Sequence, residues 1–294
     1  MEARKIETRQ SNARHIMEPT LPATEITNAP RPAARIPAKL ALVVPTLHEV
    51  ANIETILRRA RTTLDPLGIS YELIVVDDDS QDGTSEVVQR ISDSDPRVRL
   101  MVRKNARGLG GAVVHGWDGS SAGVIGVMDA DLQHPPEILP QLWKAMESGA
   151  DLALASRYAE NGSLRHWNPV RRGLSQLAIW LTVPLQRRAI RVQDPMSGFF
   201  LVRRACLRDV QLKTQGFKIL LEILVRGDIH SVTEVPFSFG LREAGDSKAG
   251  IKEGFDYLSL LSRLYRGLGL KRRFSPTAPP VVTPETSETM RRAG

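Results

Sequence analysis

Along residues 40–156, short continuous apolar runs alternate with segments whose apolar positions recur every three or four residues. The runs at 40–44, 72–76, 98–102, 123–128 and 151–156 have the length and apolar character of buried strands. Between them, 49–60 sets Val50, Ile53, Leu57 and Ala60 on one helical face. Further helices are expected over 83–91, 108–117 and 135–148, the last opening on two prolines, where a missing N–H costs little. Strands buried on both faces and separated by helices predict a mainly parallel sheet flanked by helices, an α/β chain. In such sheets ligands gather beyond the carboxyl ends of the strands.

That rule gives the acids of the sequence an address. Glu49 follows the first strand, Asp77, Asp78 and Asp79 follow the second, and Asp129, Asp131 and Gln133 follow the fourth. Three acidic turns therefore converge on one rim. Neighbouring carboxylates at the end of a buried strand repel one another and resist desolvation, so a metal ion, a cationic side chain or solvent must compensate them. Asp129 and Asp131 are two apart on an extended segment, so both can face one way and hold a hard divalent cation such as Mg²⁺ or Mn²⁺, with Gln133 adding a neutral oxygen. The stretch 78–83 imitates the start of a calcium-binding EF-hand loop, but its twelfth position is Gln89 and a strand precedes it, which excludes that motif. Residues 108–116 are glycine-dense without the spacing or the Lys-Ser/Thr pair of a phosphate loop, so those glycines are read as packing positions.

Charge and composition narrow the partners. The 294 residues are 41% hydrophobic and 25% charged, with net charge +7, which suits an anionic partner, whether nucleic acid, nucleotide phosphates or an anionic membrane surface. Arg157, Arg171, Arg172, Arg242 and Lys248 could meet a second anion opposite the acidic rim. A single cysteine, Cys206, excludes internal disulfides. No run approaches the roughly 20 apolar residues of a membrane span, and the N-terminus lacks a secretory signal, so a cytoplasmic location is expected. Residues 171–191 and 255–274 nevertheless pattern as amphipathic helices with basic ends, the character of segments that lie on a membrane. Residues 1–38 and 275–294 are polar and Pro-rich and read as disordered arms flanking a folded domain over 39–274.

In chain order, the segments "VVPTLHE", "IVVDDDSQDGT", "GLGGAVVHG", "VMDADLQHPPE", "ASRY", "DPMSGFFLVRR" and "VPFSFGLREAGDSK" resemble the dolichol/polyprenol-phosphate mannose synthases, inverting GT-A-fold glycosyltransferases of family 2. The resemblance runs from about Leu40 to Phe274. It implies a Rossmann-like nucleotide-diphospho-sugar transferase with C-terminal amphipathic helices, a GDP-mannose donor, a polyprenyl or dolichyl phosphate acceptor and a β-mannosyl phospholipid product. By that resemblance Pro45, Leu47, Glu49, Val76, Asp78, Met128 and Ala130 line the nucleotide sugar, and Arg242 and Lys248 close over it. Asp129, Asp131 and Gln133 hold the metal, while Arg157, Arg171 and Ser175 meet the acceptor phosphate. Asp129, Asp131 and Arg157 are the residues expected to carry catalysis. The enzyme is expected on the cytoplasmic face of the membrane, with a membrane-anchoring protein as a further partner and without nucleic acid.

The sequence departs from the family pattern in three ways. Leu47 and His48 stand where Tyr and Asn are usual, Asp79 stands where Gly is usual, and the appended transmembrane helices of many bacterial relatives are absent from this sequence. Two alternatives stay open. One is a UDP-sugar-dependent glucosyl- or N-acetylhexosaminyltransferase acting on a polyprenyl phosphate; the other is a non-catalytic partner subunit that docks at membrane or nucleic acid.

Overall fold

The computed structural model describes residues 38–159, 169–212, 218–237 and 257–266, the side chains of 169–172 and 174 excepted. The arms expected over 1–38 and 275–294, Ala38 apart, and the segment with Arg242 and Lys248 lie outside those residues.

Seven strands form one sheet: β1 Leu40–Thr46, β2 Tyr71–Asp77, β3 Val98–Val102, β4 Val124–Val127, β5 Leu152–Ser156, β6 Phe200–Arg203 and β7 Val232–Pro236. Their order is β3-β2-β1-β4-β6-β5-β7. Every pairing is parallel except those of β6, which runs against β4 and β5 on either side of it. The five expected strands form within two residues of their anticipated bounds. The short β6 and β7 were not anticipated.

Side-chain alternation along the central strands divides the core in two. Leu40, Leu42 and Val44 of β1 join Leu73 and Val75 of β2 on one face, under α1 (Ile53–Leu64), α2 (Thr84–Ser94) and α4 (Leu139–Glu147). Ala41, Val43, Ile74 and Val76 join the opposite face, under α3 (Leu109–Asp118) and α6 (Ile219–Arg226). Each wholly buried Leu or Ile contributes about 2 kcal/mol by leaving water. Of the glycines over 108–116, Gly116 serves packing as expected, whereas Gly108 has open space around it and a positive φ of 121°. A Cβ at Gly116 would stand 2.6 Å from a Val43 methyl and 3.0 Å from a Val76 methyl. The lone Cys206 is buried, and burial pushes its thiol up to about 11, which leaves it unreactive at neutral pH.

The first helix begins four residues later than its periodicity suggests. The Glu49 carbonyl accepts the N–H groups of Asn52 and Ile53, so 47–52 is a turn, and Val50 is exposed on it rather than buried on the helix. Asp77 locks this turn to the next. Wholly buried, its carboxylate accepts hydrogen bonds from Thr46 Oγ1 at 2.7 Å, Ser80 N at 2.9 Å, Ser80 Oγ at 2.6 Å and Ser85 Oγ at 2.8 Å. That acid is structural.

All four non-glycine residues of left-handed backbone among those described follow strand ends: His48 (φ 61°), Asp79 (φ 58°), Asn105 (φ 59°) and Leu132 (φ 59°). Such geometry costs an L-residue roughly 1–2 kcal/mol, less for Asn and Asp, and collects where turns are shaped for function. Asp79 explains the glycine usual there. Asp79→Gly is expected to stabilise the protein by up to about 1 kcal/mol. Urea unfolding checks it, and a lower midpoint for the variant would refute the backbone account.

After Pro169–Thr182 (α5) the chain breaks into 3-10 turns at Val183–Leu185 and Arg188–Ile190, so the amphipathic segment expected over 171–191 is helical only in its first part. The segment expected over 255–274 is described as helix at 257–266. The two meet: Tyr265 donates a 2.7 Å hydrogen bond to the Leu181 carbonyl, and Tyr257 donates to that of Ala178. Leu260, Leu261 and Leu264 join Leu185 and Leu221 in a third, smaller core. No described helix is long and apolar enough to cross a membrane.

Candidate active site

The sheet rim gathers most of the anticipated residues. Pro45, next to last in β1, is half-buried, as are Leu47 and Glu49 beyond the strand. Glu49 donates its backbone N–H to Thr84 Oγ1 and accepts the Asn52 side-chain amide at 2.9 Å, which fixes it at the edge of the cleft. Asp78 is buried and occupied. Arg103 grips Oδ1 through Nε at 2.7 Å and Nη2 at 2.6 Å, while the Gly108 N–H reaches Oδ2 at 2.8 Å. Here the compensating group of an acidic turn is a cationic side chain. Val76, Met128 and Ala130 put their side chains into the two cores beneath the rim.

The fourth strand's acids are compensated differently. Asp129 keeps 28% of its side chain exposed, yet its Oδ1 is buried and has no hydrogen-bond partner among the described residues. Burial first, and then repulsion from Asp131, push its carboxyl up to about 7, with Lys218 and Arg157 pulling the other way. Asp131 Oδ1 accepts the backbone N–H of Gln133 at 3.1 Å. His134 Nδ1 lies 3.6 Å from Asp129 Oδ2, and its ring rests against Phe199 and Phe237. Burial holds this imidazole below its ordinary range, so it is neutral at pH 7. Gly198 forms the floor of the site: a Cβ there would overlap the Asp129 carboxylate, 2.7 Å from Cγ.

A partnerless buried oxygen and two hard carboxylates repelling one another fit a divalent cation. Among the described residues no group of three or more acids, histidines or cysteines is placed to hold a metal unaided. Two protein carboxylates with the remaining positions left to diphosphate and water is the usual character of a Mg²⁺ or Mn²⁺ site.

The cationic side of the cleft lies at the end of β5. Arg157 forks onto the wholly buried Asp194, with Nε and Nη2 each 2.7 Å from a carboxylate oxygen. Its guanidinium carbon stands 5.6 Å from the centre of the Tyr158 ring, and the Tyr158 hydroxyl pairs with Ser175 Oγ at 2.8 Å. Arg157 and Ser175 are thus brought together through Tyr158. Arg171 lies one turn before Ser175 on α5, its side chain outside the described set. Lys218, at the start of α6, was not anticipated. Burial and the nearby Arg157 lower its ammonium to about 8, against the pull of Asp129 and Asp194. Asp194 and Gly198 sat inside the quoted "DPMSGFF" stretch without assigned roles; Lys218 had no local signature.

A parallel sheet carrying paired acids on one strand end and a clamped arginine on another has the makings of a sugar-nucleotide transferase. The family model for glycosyl transferase family 2 matches residues 41–211, and the chain belongs to that family. Its relatives place it among the dolichol-phosphate mannosyltransferases. It is 41% identical over 231 residues to that of Pyrococcus furiosus, covering 79% of this chain and 65% of the relative's length. Identity is 38% to that of Mycosarcoma maydis, over 77% of this chain and 79% of the relative, and 37% to that of Saccharomyces cerevisiae, over 76% and 86%. Glucosyl-3-phosphoglycerate synthase of Mycobacterium tuberculosis, solved with Mn²⁺, UDP-glucose and phosphoglyceric acid, shares the fold at TM-score 0.57 and 21% identity, covering 78% of this chain and 80% of that one. Mannosyl-3-phosphoglycerate synthase of Rubrobacter xylanophilus does so at TM-score 0.58 and 16% identity, covering 84% and 79%.

Proposed function

We propose that this protein transfers mannose from GDP-mannose to a polyprenyl phosphate, with inversion, at a membrane surface. One observation carries the reading: a buried Asp129 oxygen without a partner among the described residues, on a carboxylate that Asp131 repels, in a chain whose relatives are dolichol-phosphate mannosyltransferases. Asp129 and Asp131 would hold the divalent cation, with Gln133 beside them. When bound, that cation neutralises charge growing on the departing diphosphate.

The chain's own residues do the rest. Glu49 and Asp78 border the nucleoside, the latter rigid in the grip of Arg103. Arg242 and Lys248 would close over the donor. Arg157, together with Ser175 and Arg171, binds the acceptor phosphate and aims it at the anomeric carbon. That phosphate is already an anion at neutral pH, so it attacks without a general base, and catalysis rests on positioning and charge compensation. Attack opposite the leaving diphosphate turns the α-linkage of the donor into a β-linkage.

The acceptor's lipid tail needs a surface. Leu177 and Trp180 on α5 and Leu258 on the 257–266 helix are 54%, 68% and 56% exposed, large apolar groups on two helices that hydrogen-bond to each other. Their exposure supports seating of this side against lipid.

The test is direct. Incubation with Mn²⁺ or Mg²⁺, a short polyprenyl phosphate and labelled GDP-mannose should give chloroform-extractable label. Calorimetry of the metal-loaded protein should favour GDP over UDP. A preference for UDP would replace mannose by a UDP-linked sugar, and an absence of any lipid-linked product would sink the reading.

A further inference from the structure

Asp194 is wholly buried, and its carboxylate binds Arg157. Besides the two 2.7 Å bonds of the fork, Oδ2 accepts the Arg157 backbone N–H at 3.1 Å. The acid is itself anchored: Glu234 of β7 accepts the N–H groups of Gln193 and Asp194 through Oε1, at 2.6 and 3.2 Å. A pair this deep does little for stability that an apolar pair could not do as well. What it does supply is orientation. The fork takes Nε and Nη2 in one plane, so the opposite edge of the guanidinium is turned away from Asp194 in a fixed direction. The Tyr158 ring limits tilting of the guanidinium, and the Tyr158 hydroxyl ties the assembly to Ser175 of α5. A planar group fixed in this way suits recognition of a phosphate, whose oxygens need two N–H vectors in register.

We propose that Asp194 is a positioning residue for the transfer reaction, holding the Arg157 guanidinium in the one orientation that grips the acceptor phosphate. This rests on the acceptor role given to Arg157 above. Four residues further on, Gly198 underlies Asp129, so a single short segment touches both the donor side and the acceptor side of the cleft.

The experiment uses the full chain as wild type, Asp194→Asn, Arg157→Ala and the double variant, with Mn²⁺, GDP-mannose and a short polyprenyl phosphate. Asn keeps the shape of Asp194 but turns an amide donor towards an arginine N–H. Asp194→Asn should raise the KM for the lipid phosphate about tenfold, the worth of a charge-assisted hydrogen bond, with the KM for GDP-mannose changed less than twofold. In the Arg157→Ala background it should add nothing, because the partner it works through is gone. Should Asp194→Asn fail to fold, Arg157→Lys keeps the charge without the fork and carries the same expectation for the two KM values. An unchanged acceptor KM, an equal rise in both KM values, or a rise that persists without Arg157 each overturns the positioning role alone. A wild-type protein that puts no label into lipid sinks the acceptor reading and this inference together.

Discussion

Asp129→Asn should lower transfer by about a thousandfold, comparable to losing a pre-organised electrostatic group at a reacting centre. The amide retains the size of the side chain and removes the charge that would hold the cation. A second effect has the opposite sign. Asp129 is an acid whose charge is opposed by burial and by Asp131, so its neutral replacement should raise the melting temperature of the metal-free protein. Added Mn²⁺ with GDP should then stabilise the wild type and not the variant. Lipid product formed at the wild-type rate, or equal stabilisation of both proteins by Mn²⁺ and GDP, would remove Asp129 from the metal site.

Gly198→Ala should follow, with a loss of about a hundredfold, the scale expected when a reacting group is misplaced by roughly 1 Å. The new methyl would occupy the space of the Asp129 carboxylate. That carboxylate ends a short side chain that can rotate aside, so the fold should survive with a melting temperature within a few degrees of wild type, while metal-dependent GDP binding weakens. No residue at this position touches substrate by design; the glycine acts by leaving room. A fully active Gly198→Ala protein would show that Asp129 need not stay where it lies in this structure.

The central strands were readable because β1, β2, β4 and β5 are buried on both faces, and continuous apolar runs are what that environment demands. The convergence of Glu49, Asp78, Asp129 and Asp131 was readable for the same reason: strand ends in a parallel sheet share a rim. The strands β6 and β7 are four and five residues long, and an exposed Thr233 beside a half-buried Glu234 in β7 blurs any period. The start of α1 was misread because the Glu49 carbonyl, not the apolar spacing, decides where the chain becomes helical. Pairings between distant positions left no local trace. Arg157 finds Asp194 across 37 positions, and Asp78 finds Arg103 across 25. An arginine read from sequence as waiting for a ligand can already be held by an acid elsewhere in the chain.

The reversed strand has a consequence for the nascent chain. Because β6 lies between β4 and β5, those two edges have nothing to pair with until residues 200–203 have left the ribosome. Until then the floor under Asp129 and the clamp on Arg157 are also missing, since both are delivered by the approach to that strand. An amino-terminal fragment stopping near residue 160 should therefore expose sticky backbone edges and recruit chaperones, and no donor or acceptor contact could form before the sheet is sealed.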